Sequence, residues 1–129
     1  MTTQQESTRE LHMTTQQVAD RFYELAKEGR WEDIQSELFS EDAKSIEPQH
    51  APLPLAEGLS AIRKKAEQWQ EMTEETHGGY CNEPIVAGNF FACAMGMDVT
   101  LKGQGRSTMD EIALYEVRDG KIVQEQFFY

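Results

Sequence analysis

Long apolar runs are missing from this chain: the longest, Phe90-Phe91-Ala92-Cys93-Ala94-Met95-Gly96-Met97, is too short to span a bilayer, so no membrane is expected. Basic residues are scarce. Twelve Lys and Arg stand against 23 Asp and Glu, and a net charge of −11 argues against nucleic acid or an anionic membrane surface as partner. The one basic run, Arg63-Lys64-Lys65, reads as the solvated face of a helix. Cysteine is limited to Cys81 and Cys93, with no C-x-x-C spacing; the two could pair, but free thiols are the expectation. The three histidines, His12, His50 and His77, show no ligand-pair spacing, so no metal or other cofactor is expected. The first residues lack the basic start and apolar stretch of a secretory signal, and a cytoplasmic location is expected.

What is present fits one domain: 129 residues, 39% hydrophobic and 27% charged. The pentapeptide Met-Thr-Thr-Gln-Gln occurs at Met1 and again at Met13, in a polar stretch with little to bury. Residues 1–13 are read as a flexible leader and 14–129 as a single domain. Thr14 and Gln17 have capping-box spacing, and Val18, Phe22, Leu25 and Ala26 recur at helical intervals until Gly29. Trp31, Ile34, Leu38 and Phe39 mark a second, shorter helix. A short strand, 44–48, stops at Pro48; the prolines and glycine of 49–58 read as a loop. Leu59, Ile62, Ala66, Trp69 and Met72 form the stripe of a third helix. Beyond Thr76-His77-Gly78-Gly79 the period becomes two, giving four strands in a meander, the last two joined through Asp119-Gly120, a dipeptide suited to a primed hairpin turn. Helices first and an antiparallel sheet after them make an α+β fold. The spacings of Trp31, Trp69, Met72, Met95 and Met97 are those of core residues.

Three segments, LFSEDAKSIEP, EGLSAIRKKAEQW and MDEIALYEVRDGKIVQEQFFY, resemble the SnoaL-like branch of the nuclear-transport-factor-2-like superfamily. The resemblance implies three N-terminal helices packed on a curved antiparallel sheet, forming a cone with an internal pocket, and a homodimer made through the sheet. The superfamily includes ketosteroid isomerases, polyketide cyclases, dehydratases, epoxide hydrolases and scaffolds without activity, so the fold constrains architecture more than chemistry. Set beside ketosteroid isomerase, Glu47 stands where that enzyme carries its general base, whereas Phe22 and Ala113 stand where it has its two oxyanion donors. Each lost donor forgoes about 3 to 4 kcal/mol of transition-state stabilisation, which argues against steroid isomerisation by that route. A cofactor-independent cyclase, isomerase or dehydratase acting on a small hydrophobic molecule needs only a carboxylate or imidazole and an apolar cleft. The alternative is a non-catalytic ligand-binding or dimerisation module of the same fold.

The catalytic candidates are Glu47, His50 and Glu111. Alternation puts Glu111 on one face of its strand with Ala113, Tyr115 and Val117, and Asp110 on the other. The family habit of aiming Val117 and Ile122 at the core then turns Glu111 inward. Regular pairing beyond the last turn brings Gln124 and Gln126 to the Tyr115 side; a single bulge substitutes Glu125, Phe127 and Tyr129. Asp98 falls opposite Asp110 or Glu111 depending on the turn at 103–105, and such a pair needs a proton or a cation such as Arg106 or Lys102. Asp98 is therefore either a cavity acid or part of an ion-pair cluster on the outer face. With Trp69 on the helix that roofs the pocket in the family, the ligand-binding candidates are Trp69, Asp98, Tyr115, Gln124, Glu125 and Gln126.

Overall fold

A computed structural model describes residues 12–129; the first copy of the repeated pentapeptide and nearly all of the expected leader lie outside the described residues. Helix α1, Thr15–Lys27, begins at the expected cap. The Thr14 hydroxyl accepts from the Gln17 backbone N–H at 3.1 Å, and the Gln17 side-chain oxygen accepts from the Thr14 N–H at 2.9 Å. Val18, Phe22 and Leu25 are fully buried, and Gly29 ends the helix at φ +70°. Helix α2, Trp31–Leu38, is one residue shorter than its apolar spacing suggests, because Phe39 already belongs to strand β1, Phe39–Ile46. The expected strand at 44–48 thus starts earlier and takes in Ser40 to Ala43. The strand is anchored at its ends, where Phe39 pairs with Ile122 and Lys44 to Ile46 pair with two neighbours, while Ser40 to Ala43 span the register shift between them.

Strand β2, Leu55–Glu57, occupies part of the expected loop and pairs with β1, setting buried Ala56 beside buried Ser45. Helix α3, Leu59–Met72, follows as expected. Strand β3, Thr73–Cys81, leaves it without a loop and runs through the His77-Gly78-Gly79 segment that read as a break, shifting register there. Then come β4, Ile85–Ala87; β5, Phe90–Leu101; β6, Gly105–Arg118; and β7, Lys121–Phe128.

The seven strands form one sheet in the order β2-β1-β7-β6-β5-β3, with β4 also on β5. It is mixed, not wholly antiparallel as expected, because β1 lies parallel to β7. Parallel neighbours require a long crossover, and here nearly the whole domain between them serves as one. Asp119 and Gly120 both take positive φ, +51° and +76°, closing the β6–β7 hairpin with Arg118 opposite Lys121. Val117 faces Ile122, but Glu116 faces Gln124, so Val123 is the extra residue of a bulge.

The helices cover the face that carries Phe91, Cys93, Met95, Ala113 and Tyr115. Phe22 sits edge-on to Phe91 at 5.2 Å and 4.7 Å from Tyr115, while Phe91 and Tyr115 stack at 4.8 Å. Phe22 and Ala113, the positions that lack oxyanion donors, are fully buried in this core. Trp31 and Met72 depart from the expected core, being 38% and 45% exposed. Each stands at a helix end, Trp31 touching Phe22 along only one edge. Among the described residues no helix is long and apolar enough to cross a membrane.

Candidate active site

Three carboxylates, from β6, from β7 and from the residue after β1, converge beside one ammonium. The bulge at Val123 decides the first of them: it brings Glu125 opposite Tyr115 and Phe127 opposite Ala113, so that Glu125 points into the protein and is only 7% exposed. On its other side Glu125 pairs with fully buried Ser45 of β1, whose hydroxyl hydrogen-bonds it. Gln124 and Gln126, the occupants expected of a regular strand, alternate to the outer face with Glu116 and Leu114. Of the two readings the residues left open, the bulged one holds.

Glu111 lies opposite Met95, a buried core residue, and so faces the helices, while its neighbour Asp110 faces outward and accepts a 2.6 Å hydrogen bond from the Tyr80 hydroxyl. Burial, reinforced by the charges of Glu47 and Glu125 and relieved in part by Lys65, raises the Glu111 carboxyl from 4.5 to about 7. Glu125 is likewise raised to about 7, chiefly by burial, with the Ser45 hydrogen bond and Lys65 opposing. Because the charge of Glu125 is among the causes that raise Glu111, the protonation of Glu111 depends on that of Glu125.

Glu47 follows the end of β1 and is held there by its backbone N–H, which donates to the Pro54 carbonyl at 2.8 Å. Lys65 of α3 reaches its carboxylate at 3.3 Å and the Ser45 hydroxyl at 2.7 Å, with its ammonium 5.4 Å from the centre of the Phe127 ring. The Tyr129 hydroxyl donates to the other Glu47 oxygen at 2.9 Å, and burial together with that carboxylate raises the phenol to about 12. His50 is exposed and packs edge-on against Tyr129 at 5.6 Å; it touches the cluster only through that ring.

Tyr115 is buried in the aromatic core beside Glu125, and burial raises its phenol well above the ordinary value. Trp69 is half-buried, one turn beyond Lys65 on the same side of α3. Asp98 is not part of the cluster. It lies opposite Thr108, not opposite Asp110 or Glu111, because the turn occupies residues 102–104, and on the outer face Arg106 grips it through two hydrogen bonds of 3.0 and 2.8 Å. The cation that a pair of acids was expected to need is there, without the second acid.

Lys65 and Ser45 were missed. Within Arg63-Lys64-Lys65 the helical advance of 100° per residue turns the first two toward solvent and the third toward the Ile62–Trp69 stripe, a difference the spacing could have revealed. The surface hollows lined by Glu41, Ser60, Arg63, Lys64 and Glu67, and by Ser36, Asp42 and Lys121, lie on the opposite face of α3 from the carboxylates. Among the described residues no group of three or more His, Cys, Asp or Glu is arranged to hold a metal ion.

Solved structures with this architecture define the class. A Mesorhizobium loti protein assigned as a SnoaL-like polyketide cyclase superposes with TM-score 0.86 at 40% identity, over 91% of this chain and 100% of the other. A protein of the nuclear-transport-factor-2-like fold from Burkholderia thailandensis matches at TM-score 0.76 and 15% identity, over 90% of each chain. A protein of ketosteroid-isomerase-like fold from Catenulispora acidiphila, solved with trimethylamine, matches at 0.63 and 20% identity, over 74% and 72%. These describe an α+β fold shared with polyketide-cyclase-like proteins. Residues 13–129 match the model of the SnoaL-like domain, and the chain belongs to that family. No curated protein matches it.

Proposed function

We propose that the protein is a cofactor-independent enzyme of cyclase, isomerase or dehydratase type, which moves a proton on a small hydrophobic substrate held between α3 and the sheet. The observation that carries this reading is the convergence of Glu47, Glu111 and Glu125, two of them raised to about 7, beside Lys65 and Tyr129. A carboxyl group with a pKa near the working pH exchanges protons in both directions with little thermodynamic penalty. Glu111, less deeply buried than Glu125, is the group that meets substrate; Glu125, sealed behind Ser45, keeps a proton or a charge close by and so tunes it.

Lys65 and Tyr129 provide an ammonium and a hydroxyl where Phe22 and Ala113 provide none, so charge developing on a substrate oxygen would be met from α3 and the end of the chain. Met95, Phe127 and Trp69 would supply apolar walls for the pocket that the family resemblance implies. A binding module without catalysis has no need to gather acids of this kind on its inner face, and the convergence favours the enzyme over that alternative.

The test is hydrogen exchange at carbon. Incubated in D2O with a panel of cyclic ketones and β-keto esters, the protein should catalyse exchange of α-hydrogens with at least one, read by NMR. Glu111→Gln should lower that rate about 100-fold or more, the usual scale of a lost general base. If Glu111→Gln keeps the full rate on every exchanged compound, the catalytic assignment is wrong.

A further inference from the structure

On the same inner face, on the two strands next to that of Glu111, the only two cysteines of the chain meet. Cys81 is the last residue of β3 and lies opposite Met95; Cys93 lies two residues before Met95 on β5, so both side chains leave the sheet on one side. Their sulfurs are 3.8 Å apart. Both are free thiols, Cys93 buried and Cys81 partly exposed. We propose that Cys81 and Cys93 form an oxidation site at which a peroxide converts the pair to an intramolecular disulfide.

The two thiols are unequal in the way this chemistry requires. Cys93 lies near the start of β5, paired on one side with fully buried Ala113 of β6 and placed on the other between Ala92, the last residue paired with β4, and Met95, the first paired with β3; its own side chain is buried. It is fixed and shielded. Cys81 ends an outer strand, and the short segment 82–84 after it carries the chain to β4. Closing 3.8 Å to the ~2.05 Å of a disulfide therefore falls on a strand end, where little packing has to move. Contact with the Cys93 thiol lowers the Cys81 pKa, whereas the same contact and burial raise that of Cys93, so Cys81 ionises first and attacks while Cys93 keeps its proton until it resolves.

The steps balance. The Cys81 thiolate attacks one oxygen of the peroxide, the O–O bond breaks, and hydroxide leaves with a sulfenic acid on Cys81. The Cys93 sulfur then attacks the Cys81 sulfur, the S–O bond breaks, and the Cys93 proton leaves with the hydroxyl as water. Two thiols are oxidised by two electrons in total and one hydrogen peroxide is reduced to two waters. The site is independent of the proton-transfer reading: it uses neither Glu111 nor Glu125, and it stands if the protein proves to have no enzymatic activity.

The experiment uses the reduced full chain and hydrogen peroxide in small excess. Intact mass should fall by two hydrogens, maleimide should find no free thiol, peptide mapping should join Cys81 to Cys93 within one chain, and dithiothreitol should restore the starting mass. Cys93→Ser should instead accumulate a sulfenic acid on Cys81 that dimedone traps, and Cys81→Ser should react at least 10-fold more slowly at Cys93. A product carrying sulfinic acid on Cys81 with Cys93 still free, a disulfide between two chains, or two unreacted thiols would each overturn the proposal.

Discussion

Glu125 shows what one side chain costs when the fold turns it inward. Its pKa, raised from 4.5 to about 7, means that folding favours the protonated acid. The stability this contributes is fully present below pH 4.5 and is lost as pH rises through about 7, on the order of 3 kcal/mol in all. Glu111 adds in the same direction. Thermal unfolding should therefore move to lower temperature between about pH 5 and about pH 9, by several degrees for each kcal/mol lost. Glu125→Gln keeps the shape and a hydrogen bond to Ser45 but cannot ionise. It should raise the melting temperature at about pH 9 while leaving it nearly unchanged at about pH 5; a mutant profile parallel to that of the wild type would refute the assignment. Lys65 carries the complementary lesson at this scale. A lysine read as solvent-facing within a basic run bends its ammonium into the cluster, its methylenes crossing the half-buried side of α3.

Elements are joined here by close approaches that a pattern of apolar and polar letters does not record. Gly96 of β5 faces outward beneath the Tyr80 ring of β3. A Cβ at that position would lie 2.6 Å from the ring edge, 2.6 Å from the Met109 carbonyl and 2.9 Å from the Asp110 carboxylate. The absent side chain is what lets Tyr80 reach across to Asp110. Gly96→Ala should cost about 1 to 3 kcal/mol, the range for overpacking a filled site, and should break that hydrogen bond. Denaturant titration measures the first effect, and double-mutant analysis with Tyr80→Phe measures the second. An unchanged unfolding midpoint would show that β3 and β5 tolerate separation there. The β6–β7 hairpin belongs at this scale too: its turn was legible in Asp119-Gly120, but its bulge was not, since nothing in Lys121 to Tyr129 distinguishes one extra residue from none until β1 pairs along the far edge of β7.

At the scale of the molecule, the outer face of the sheet carries an apolar patch that none of the described residues covers. Phe90, Ile112 and Phe128 are 43%, 48% and 47% exposed and stand on adjoining strands around Leu114. An exposed apolar patch of this kind, rimmed by Glu116, Gln124 and Gln126, fits a second copy of the chain, in line with the dimer that the family resemblance implies. Light scattering at micromolar concentration should give the mass of two chains, and Ile112→Lys should give the mass of one while the far-UV spectrum stays the same. A wild-type protein with the mass of one chain would exclude this interface.

By itself the sequence determined what local physics controls. The capping box at Thr14, the stripes of the three helices, the left-handed turn at Asp119-Gly120 and the placing of Asp110 and Glu111 on opposite faces all depend on residues within a few positions of one another, whereas the choice of Glu111 as the inward acid came from the family resemblance. Only the tertiary structure decided which of Gln124, Glu125 and Gln126 enters, where β1 begins, that β1 runs parallel to β7, that Asp98 faces Arg106 outside, and that Lys65 closes the cluster. Each of these depends on a partner strand or helix distant in the chain. A strand's register is chosen by the summed pairing and burial along its length, so a single-residue slip, invisible in local pattern, exchanges every side chain between the two faces.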